Sequence, residues 1–270
     1  MSFPPESAVV ATLRSAGCVF AEDEARLLLA TASTPAELAV LLERRVAGEP
    51  LEHVLGWAEF HGLRIAVEPG VFVPRRRTEF LVDRAAALTR PGAVVVDLCC
   101  GSGALGVALA AARPGIELYA ADIGPAAVRC ALRNVVPAGG QVFPGDLYDA
   151  LPASLRGRID ILLANVPYVP TAEIATMPPE ARDHEPRVAL DGGDDGLAVL
   201  RRISAGATTW LAPGGHVLVE SSERQSSHAA AIFSQDGLDA RIAMTADLGA
   251  TVVIGTNCVT SRRRGGRRGR

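Results

Sequence analysis

From residue 92 onward the chain alternates short, almost wholly apolar runs with longer amphipathic stretches. Residues 93–98, 117–122, 141–143, 159–164 and 216–220 read as strands, and 104–112, 125–134 and 197–211 read as the helices between them. Continuous apolar strands need cover on both faces. The pattern therefore predicts an α/β fold with a mostly parallel sheet between helical layers, of the Rossmann-like kind. Residues 240–257 read as two further strands split at 247–249. No internal repeat is visible.

The first fifty residues have a different rhythm. Residues 21–30 place acids early and an apolar face later, as a helix prefers. Thr34-Pro35-Ala36-Glu37 supplies an N-cap and a proline in the first turn, which opens a helix through Arg45. Gly48-Glu49-Pro50 ends it. Within 56–74, Leu63, Ile65 and Val67 alternate with Arg64, Ala66 and Glu68. Pro69-Gly70 then reads as a turn, and Val71-Phe72-Val73 as renewed extended chain. The expectation is a helical module (1–54), a β-hairpin linker (55–77), a catalytic domain (78–260) opening with a helix at 78–88, and an Arg/Gly tail (261–270).

Composition narrows the classes. Of the 270 residues, 49% are hydrophobic and 21% charged, which suits a packed core. Aromatic residues reach only 4%, too few for a base-stacking surface. No apolar run approaches the ~18 residues of a membrane span, and residues 1–10 carry no secretory signal pattern. A soluble cytoplasmic protein without membrane partners is expected. The net charge is −3, from 27 basic and 30 acidic residues, and every basic residue is arginine. Six of those arginines lie in the last ten residues. The rest carries 21 basic against 30 acidic residues, a net −9 that disfavours duplex nucleic acid outside the tail. The tail itself reads as disordered. Five cysteines without C-x-x-C spacing and five scattered histidines predict no metal site. Ser221-Ser222-Glu223 reads as a surface loop, since no nucleophile elbow surrounds it.

Two loops carry chemistry. Asp97-Leu98-Cys99-Cys100-Gly101-Ser102-Gly103-Ala104-Leu105-Gly106 leaves a strand and opens a helix, and Gly101, Gly103 and Gly106 fit G-x-G-x-x-G. Asp122, ending the next strand, suits the two hydroxyls of an adenosine ribose. A dinucleotide would set a pyrophosphate over the loop, where Asp97 is unhelpful. S-adenosylmethionine carries an ammonium and a sulfonium instead, and Asp97 suits both. After the third strand, Gly145-Asp146-Leu147 can reach the adenine amino group. The expected cofactor set is Asp97, Cys99, Gly101, Gly103, Asp122, Asp146, Leu147 and Asn165.

The second loop, Asn165-Val166-Pro167-Tyr168, follows the fourth strand, where a second ligand meets the first. Methyl transfer from a sulfonium is an in-line displacement, so a planar amide or aniline-like nitrogen needs orientation more than deprotonation. The Asn165 side-chain oxygen and the Val166 carbonyl can accept the two N–H groups of an NH₂. Pro167 holds Val166 extended, and Tyr168 can stack on the planar group. Asn165, Val166, Pro167 and Tyr168 are the expected catalytic residues.

These segments together resemble the protein-(glutamine-N5) methyltransferases that modify peptide-chain release factors. Gly48-Glu49-Pro50 to Glu59-Phe60, Val73-Pro74-Arg75 with Thr78-Glu79, the Asp97–Gly103 loop, Asp122, Asp146-Leu147, Asn165-Val166-Pro167-Tyr168, Glu185-Pro186 and Asp191-Gly192-Gly193 through Gly196-Leu197 follow the family's motifs in order. The resemblance implies a class I methyltransferase sheet, S-adenosylmethionine as donor and a protein glutamine as acceptor. It also implies an N-terminal module that helps to hold the protein substrate. Four departures stand out: Val166 for the first proline of N-P-P-Y, Arg76-Arg77 for a Pro-acid pair, Cys99 for glycine, and Leu147 where an aromatic residue can flank adenine. A sibling with another protein target remains open. So do an N6-adenine or other nucleic-acid amino methyltransferase, and a catalytically weak cofactor-binding partner protein.

Overall fold

The structure, a computed structural model, describes residues 2–258. The Arg/Gly tail lies outside the described residues. Four helices come first: α1 (Glu6–Ser15), α2 (Ala21–Thr31), α3 (Pro35–Val46) and α4 (Leu51–Leu55). They close on their own apolar cluster, with Leu13, Leu28 and Leu38 fully buried. Thr34 caps α3 as expected: its hydroxyl accepts the Glu37 N–H at 3.1 Å.

The hairpin differs from its prediction. Its strands are β1 (Trp57–Phe60) and β2 (Leu63–Ala66), paired antiparallel with Phe60 opposite Leu63. The hairpin turn is His61-Gly62; Pro69-Gly70 is a turn as expected, closed by the Val71 N–H donating to the Glu68 carbonyl at 3.1 Å, but it joins no paired strands. His61 and Gly62 both have positive φ, 51° and 73°, the backbone that a two-residue type I′ turn demands and that matches strand twist. Residues 71–73 pair with no strand. Val71 and Val73 instead bury against Cys130.

After α5 (Glu79–Leu88) the chain alternates β3 (Val94–Leu98), α6 (Ala104–Ala112), β4 (Glu117–Asp122), α7 (Pro125–Val135), β5 (Gln141–Pro144) and β6 (Ile159–Ala164). A looped stretch carries α8 (Pro179–His184). Then come α9 (Ala198–Trp210), β7 (Leu211–Ser221), α10 (Glu223–Gln235), β8 (Asp239–Thr245) and β9 (Ala250–Thr256). The seven-stranded sheet runs β5-β4-β3-β6-β7-β9-β8. Its first five strands are parallel, and β9 is antiparallel to both neighbours. Every residue of β3 is buried, with one apolar layer on each face of the sheet. The mostly parallel α/β expectation holds.

Helix α10 corrects the surface-loop reading of 221–223. Ser226, Ala229 and Phe233 are buried at helical spacing, but the polar run around Ser226 conceals that face in the sequence. No helix among the described residues is long and apolar enough to cross a membrane.

Candidate active site

Strand register brings the site together. Leu98 pairs with Ala121 on one side and Ala164 on the other, and Ala164 pairs with Val219. The next residue of each strand therefore lies in one row along the carboxyl edge: Cys99, Asp122, Asn165 and Glu220. The chain runs from β3 through β4 to β5 on one side and then crosses to β6 on the other, the switch point where open α/β sheets bind ligands. A cavity of about 580 Å³ opens there.

On one side it is walled by Cys99, Gly101, Asp122, Asp146 and Leu147. The Asp122 carboxylate is already aimed by main chain. It accepts the Gly101 N–H at 2.9 Å and the Gly124 N–H at 2.8 Å. Each oxygen keeps a lone pair for a hydroxyl. Burial raises the Asp122 pKa, and these backbone bonds oppose the rise. Asp146 is held from the surface by Arg202, whose Nη2 donates at 2.7 Å. Cys99 and Leu147 both sit at positive φ, 54° and 48°, a backbone region costly for side chains and common at ligand sites.

Asp97 and Gly103 do not line the cavity. Asp97 is 1% exposed beneath the loop, and its Oδ2 accepts the Gly106 N–H at 2.9 Å. Its Oδ1 is buried without a partner. Burial pushes this carboxyl up to about 8; the Gly106 bond opposes the rise and the charge of Asp122 adds to it. Gly103 has φ 79°, and a Cβ there would lie 2.5 Å from Val135 Cγ2. Its part is close packing of the loop on α7.

The other wall holds Asn165, Val166, Pro167 and Tyr168. Val166 is 2% exposed, so packing against the sheet fixes the loop where a proline ring would. Gln225 of α10 donates to the Tyr168 carbonyl at 3.0 Å. The Tyr168 hydroxyl donates to Glu220 Oε1 at 3.1 Å and accepts from Arg77, which also donates to the same Glu220 oxygen at 3.1 Å. Burial first, then the adjacent Glu220 charge, drives the Tyr168 pKa up, so the phenol stays neutral. Thr78 also lines the cavity, with a fully buried hydroxyl that has no partner.

The local motifs assign no site role to Glu220 or Gln225, and Thr78 enters only through the resemblance. Glu220 carried a usable signal, because it ends an apolar strand with an acid just as Asp97 and Asp122 do. Gln225 was hidden with its helix.

The donor side fits the expected nucleoside. It offers a half-bonded carboxylate where ribose hydroxyls belong and backbone that approaches closely at glycine. Beneath the loop, outside the cavity lining, Asp97 holds the turn into the helix through the Gly106 N–H and keeps one buried oxygen without a partner. The family model described as "Methyltransferase small domain" matches residues 62–178. A methyltransferase crystal structure from Pyrococcus furiosus shares the fold, with a TM-score of 0.56 over 73% of this chain and 90% of that one, at 15% identity. This fold and site define an S-adenosylmethionine-dependent methyltransferase.

Sequence relatives go further. A release factor glutamine methyltransferase of Geobacter sulfurreducens is 39% identical over 208 residues, covering 75% of this chain and 72% of that protein. The 4-amino-L-phenylalanine/4-methylamino-L-phenylalanine methyltransferase of Streptomyces pristinaespiralis is 37% identical over 203 residues, covering 73% and 69%. The chain belongs to the release factor glutamine methyltransferase family.

Proposed function

We propose that this enzyme methylates the side-chain amide nitrogen (N5) of a glutamine in a cytoplasmic peptide-chain release factor. The observation that carries the reading is the shared row of strand ends. It sets Asn165 and its loop in the same cavity as the Gly101 loop and Asp122. Family membership supports it independently.

Asp122 would hold the ribose, Cys99, Gly101 and Leu147 would flank the nucleoside, and Asp146 would take the adenine amino group. When bound, S-adenosylmethionine supplies an electrophilic methyl group on a sulfonium. The Asn165 oxygen and the Val166 carbonyl each accept one N–H of the glutamine amide. Two acceptors fix the plane of that NH₂, and Tyr168 walls the flat group. Neither acceptor is a strong base, so the loop contributes orientation, an effect worth several kcal/mol of a barrier.

The N-terminal module (1–54) would help to hold the protein substrate. Arg45 of α3 binds Glu24 at 2.7 Å and approaches Glu180 of α8 at 3.7 Å, which ties the module to the acceptor wall.

A second reading keeps the chemistry and changes the acceptor. The Streptomyces relative is named for an aniline nitrogen on a free amino acid. Like an amide nitrogen, an aniline nitrogen has its lone pair delocalised. Tritiated methyl transfer to a release factor, to 4-aminophenylalanine and to DNA separates the acceptors. Label on a release-factor glutamine is expected. Label on the amino acid alone supports the second reading, and label on DNA alone a nucleic-acid acceptor. No transfer despite cofactor binding indicates a binding protein. Asn165→Ala should lower turnover about a hundredfold, with a smaller loss of cofactor affinity by calorimetry. Unchanged turnover removes Asn165 from the proposed role.

A further inference from the structure

Opposite the cofactor wall, one carboxylate is only half used. Glu185 follows α8 and lines the cavity with a side chain that is 0% exposed. Its Oε1 accepts the Val73 N–H at 3.2 Å and Arg75 Nη2 at 2.6 Å. Its Oε2 is buried and has no hydrogen-bond partner. Leaving a buried charged acceptor without a donor is costly, and such atoms persist where a ligand completes them. Burial raises the Glu185 pKa, while the Arg75 guanidinium favours the ionised form.

We propose that Glu185 is a substrate-binding residue whose free oxygen accepts a main-chain N–H of the acceptor protein beside the methylated glutamine. The proposal deepens the protein-glutamine reading and rests on it. Its place follows from its neighbours. Arg75, its partner, lies two residues from Arg77, which touches Tyr168 of the acceptor loop. The donor's class follows from charge. Arg75 already neutralises the carboxylate, so a second cation such as a free amino acid's ammonium would leave an uncompensated positive charge in a buried place. A neutral peptide N–H satisfies the oxygen without that cost. A protein acceptor brings such groups at every residue around the glutamine.

The test uses the full enzyme and a release factor assembled by ligation around a synthetic segment. In that segment the peptide N–H groups of the glutamine and its neighbours are replaced, one at a time, by ester oxygens. With the wild-type enzyme, one ester should raise KM about tenfold to a hundredfold, the range for a hydrogen bond to a charged group. Little change in kcat is expected. Glu185→Gln keeps its oxygen toward Val73 and Arg75 and turns an NH₂ toward the cavity. KM for the unmodified substrate should rise similarly, the sensitive ester should cost nothing more, and cofactor affinity should not move. The ester series uses unaltered enzyme, so the proposal stays testable if the variant fails to fold. Equal KM for every ester with wild-type enzyme overturns the proposal while leaving glutamine methylation intact. Absence of transfer to the unmodified release factor overturns both.

Discussion

On the donor side of the cavity, the glycine loop presents main chain and the Asp122 carboxylate is held by main chain, with Gly101 21 residues away; Asp146 alone is tied by a side chain, Arg202, across 56 positions. On the acceptor side, the groups are pinned by side chains far apart in sequence. Arg77 reaches Glu220 across 143 positions, Arg75 reaches Glu185 across 110, and Gln225 reaches the Tyr168 carbonyl across 57. A wall made of local backbone accepts few changes. A wall made of side-chain pairs can be revised one substitution at a time: the departures at Val166, Arg76 and Arg77 fall on or beside that side, while those at Cys99 and Leu147 change side chains on the donor wall over a left-handed backbone that stays in place. The contrast suggests how one fold keeps its donor while relatives differ in the nitrogen they methylate.

The comparison can be sharpened most strongly at Asp97. Its folded pKa lies near 8 against an ordinary 3.8. The folded, ligand-free enzyme therefore holds a proton that the unfolded chain releases between those values. This group's contribution to stability is full below pH 4 and falls as pH rises toward 8, by up to about 6 kcal/mol at about 1.36 kcal/mol per unit. Asp97→Asn can still accept from Gly106 and removes that dependence. Denaturant unfolding at several pH values should show the variant gaining on wild type between pH 4 and 8, while its cofactor affinity falls. A constant difference across that range refutes the assignment.

Asp122→Ala comes next, with a loss of cofactor affinity of ~1.5–3 kcal/mol by calorimetry, as expected for hydrogen bonds to a charged group. Transfer at saturating cofactor should change far less. Arg77→Ala should do the reverse. It strips a partner from the buried Glu220, but Arg77 is itself half exposed. The stability cost is accordingly about 1–2 kcal/mol, with turnover down about tenfold as Tyr168 loosens. Cofactor affinity should hold. If both variants weaken the same step, the two walls are not separate devices.

The same contrast explains what the sequence disclosed. Strand runs ending in acids, the glycine loop and Asn165–Tyr168 are local patterns, so fold and donor wall were legible. Glu185 was visible only as part of a resemblance, because its function depends on Val73 and Arg75 arriving from another part of the chain. Arg77 was visible as a departure but not as a tether to Glu220. Both His61-Gly62 and Pro69-Gly70 turn the chain; Pro69-Gly70 is the stronger local signal, but only strand pairing shows that His61-Gly62 joins the hairpin.

One side chain joins parts that the linear sequence keeps apart. Asn134 of α7 accepts the Ala66 N–H at 2.9 Å and donates to the carbonyls of Ala66 at 2.9 Å and Ser102 at 2.8 Å. The last residue of the hairpin and the glycine loop thus share a single amide. Peeling the hairpin away would strip the Asn134 amide of its two bonds to Ala66 and leave it free to turn from the Ser102 carbonyl, so hairpin and loop should open and close together. By the reciprocity of linked equilibria, whatever orders that loop should also steady the joint to the N-terminal helices.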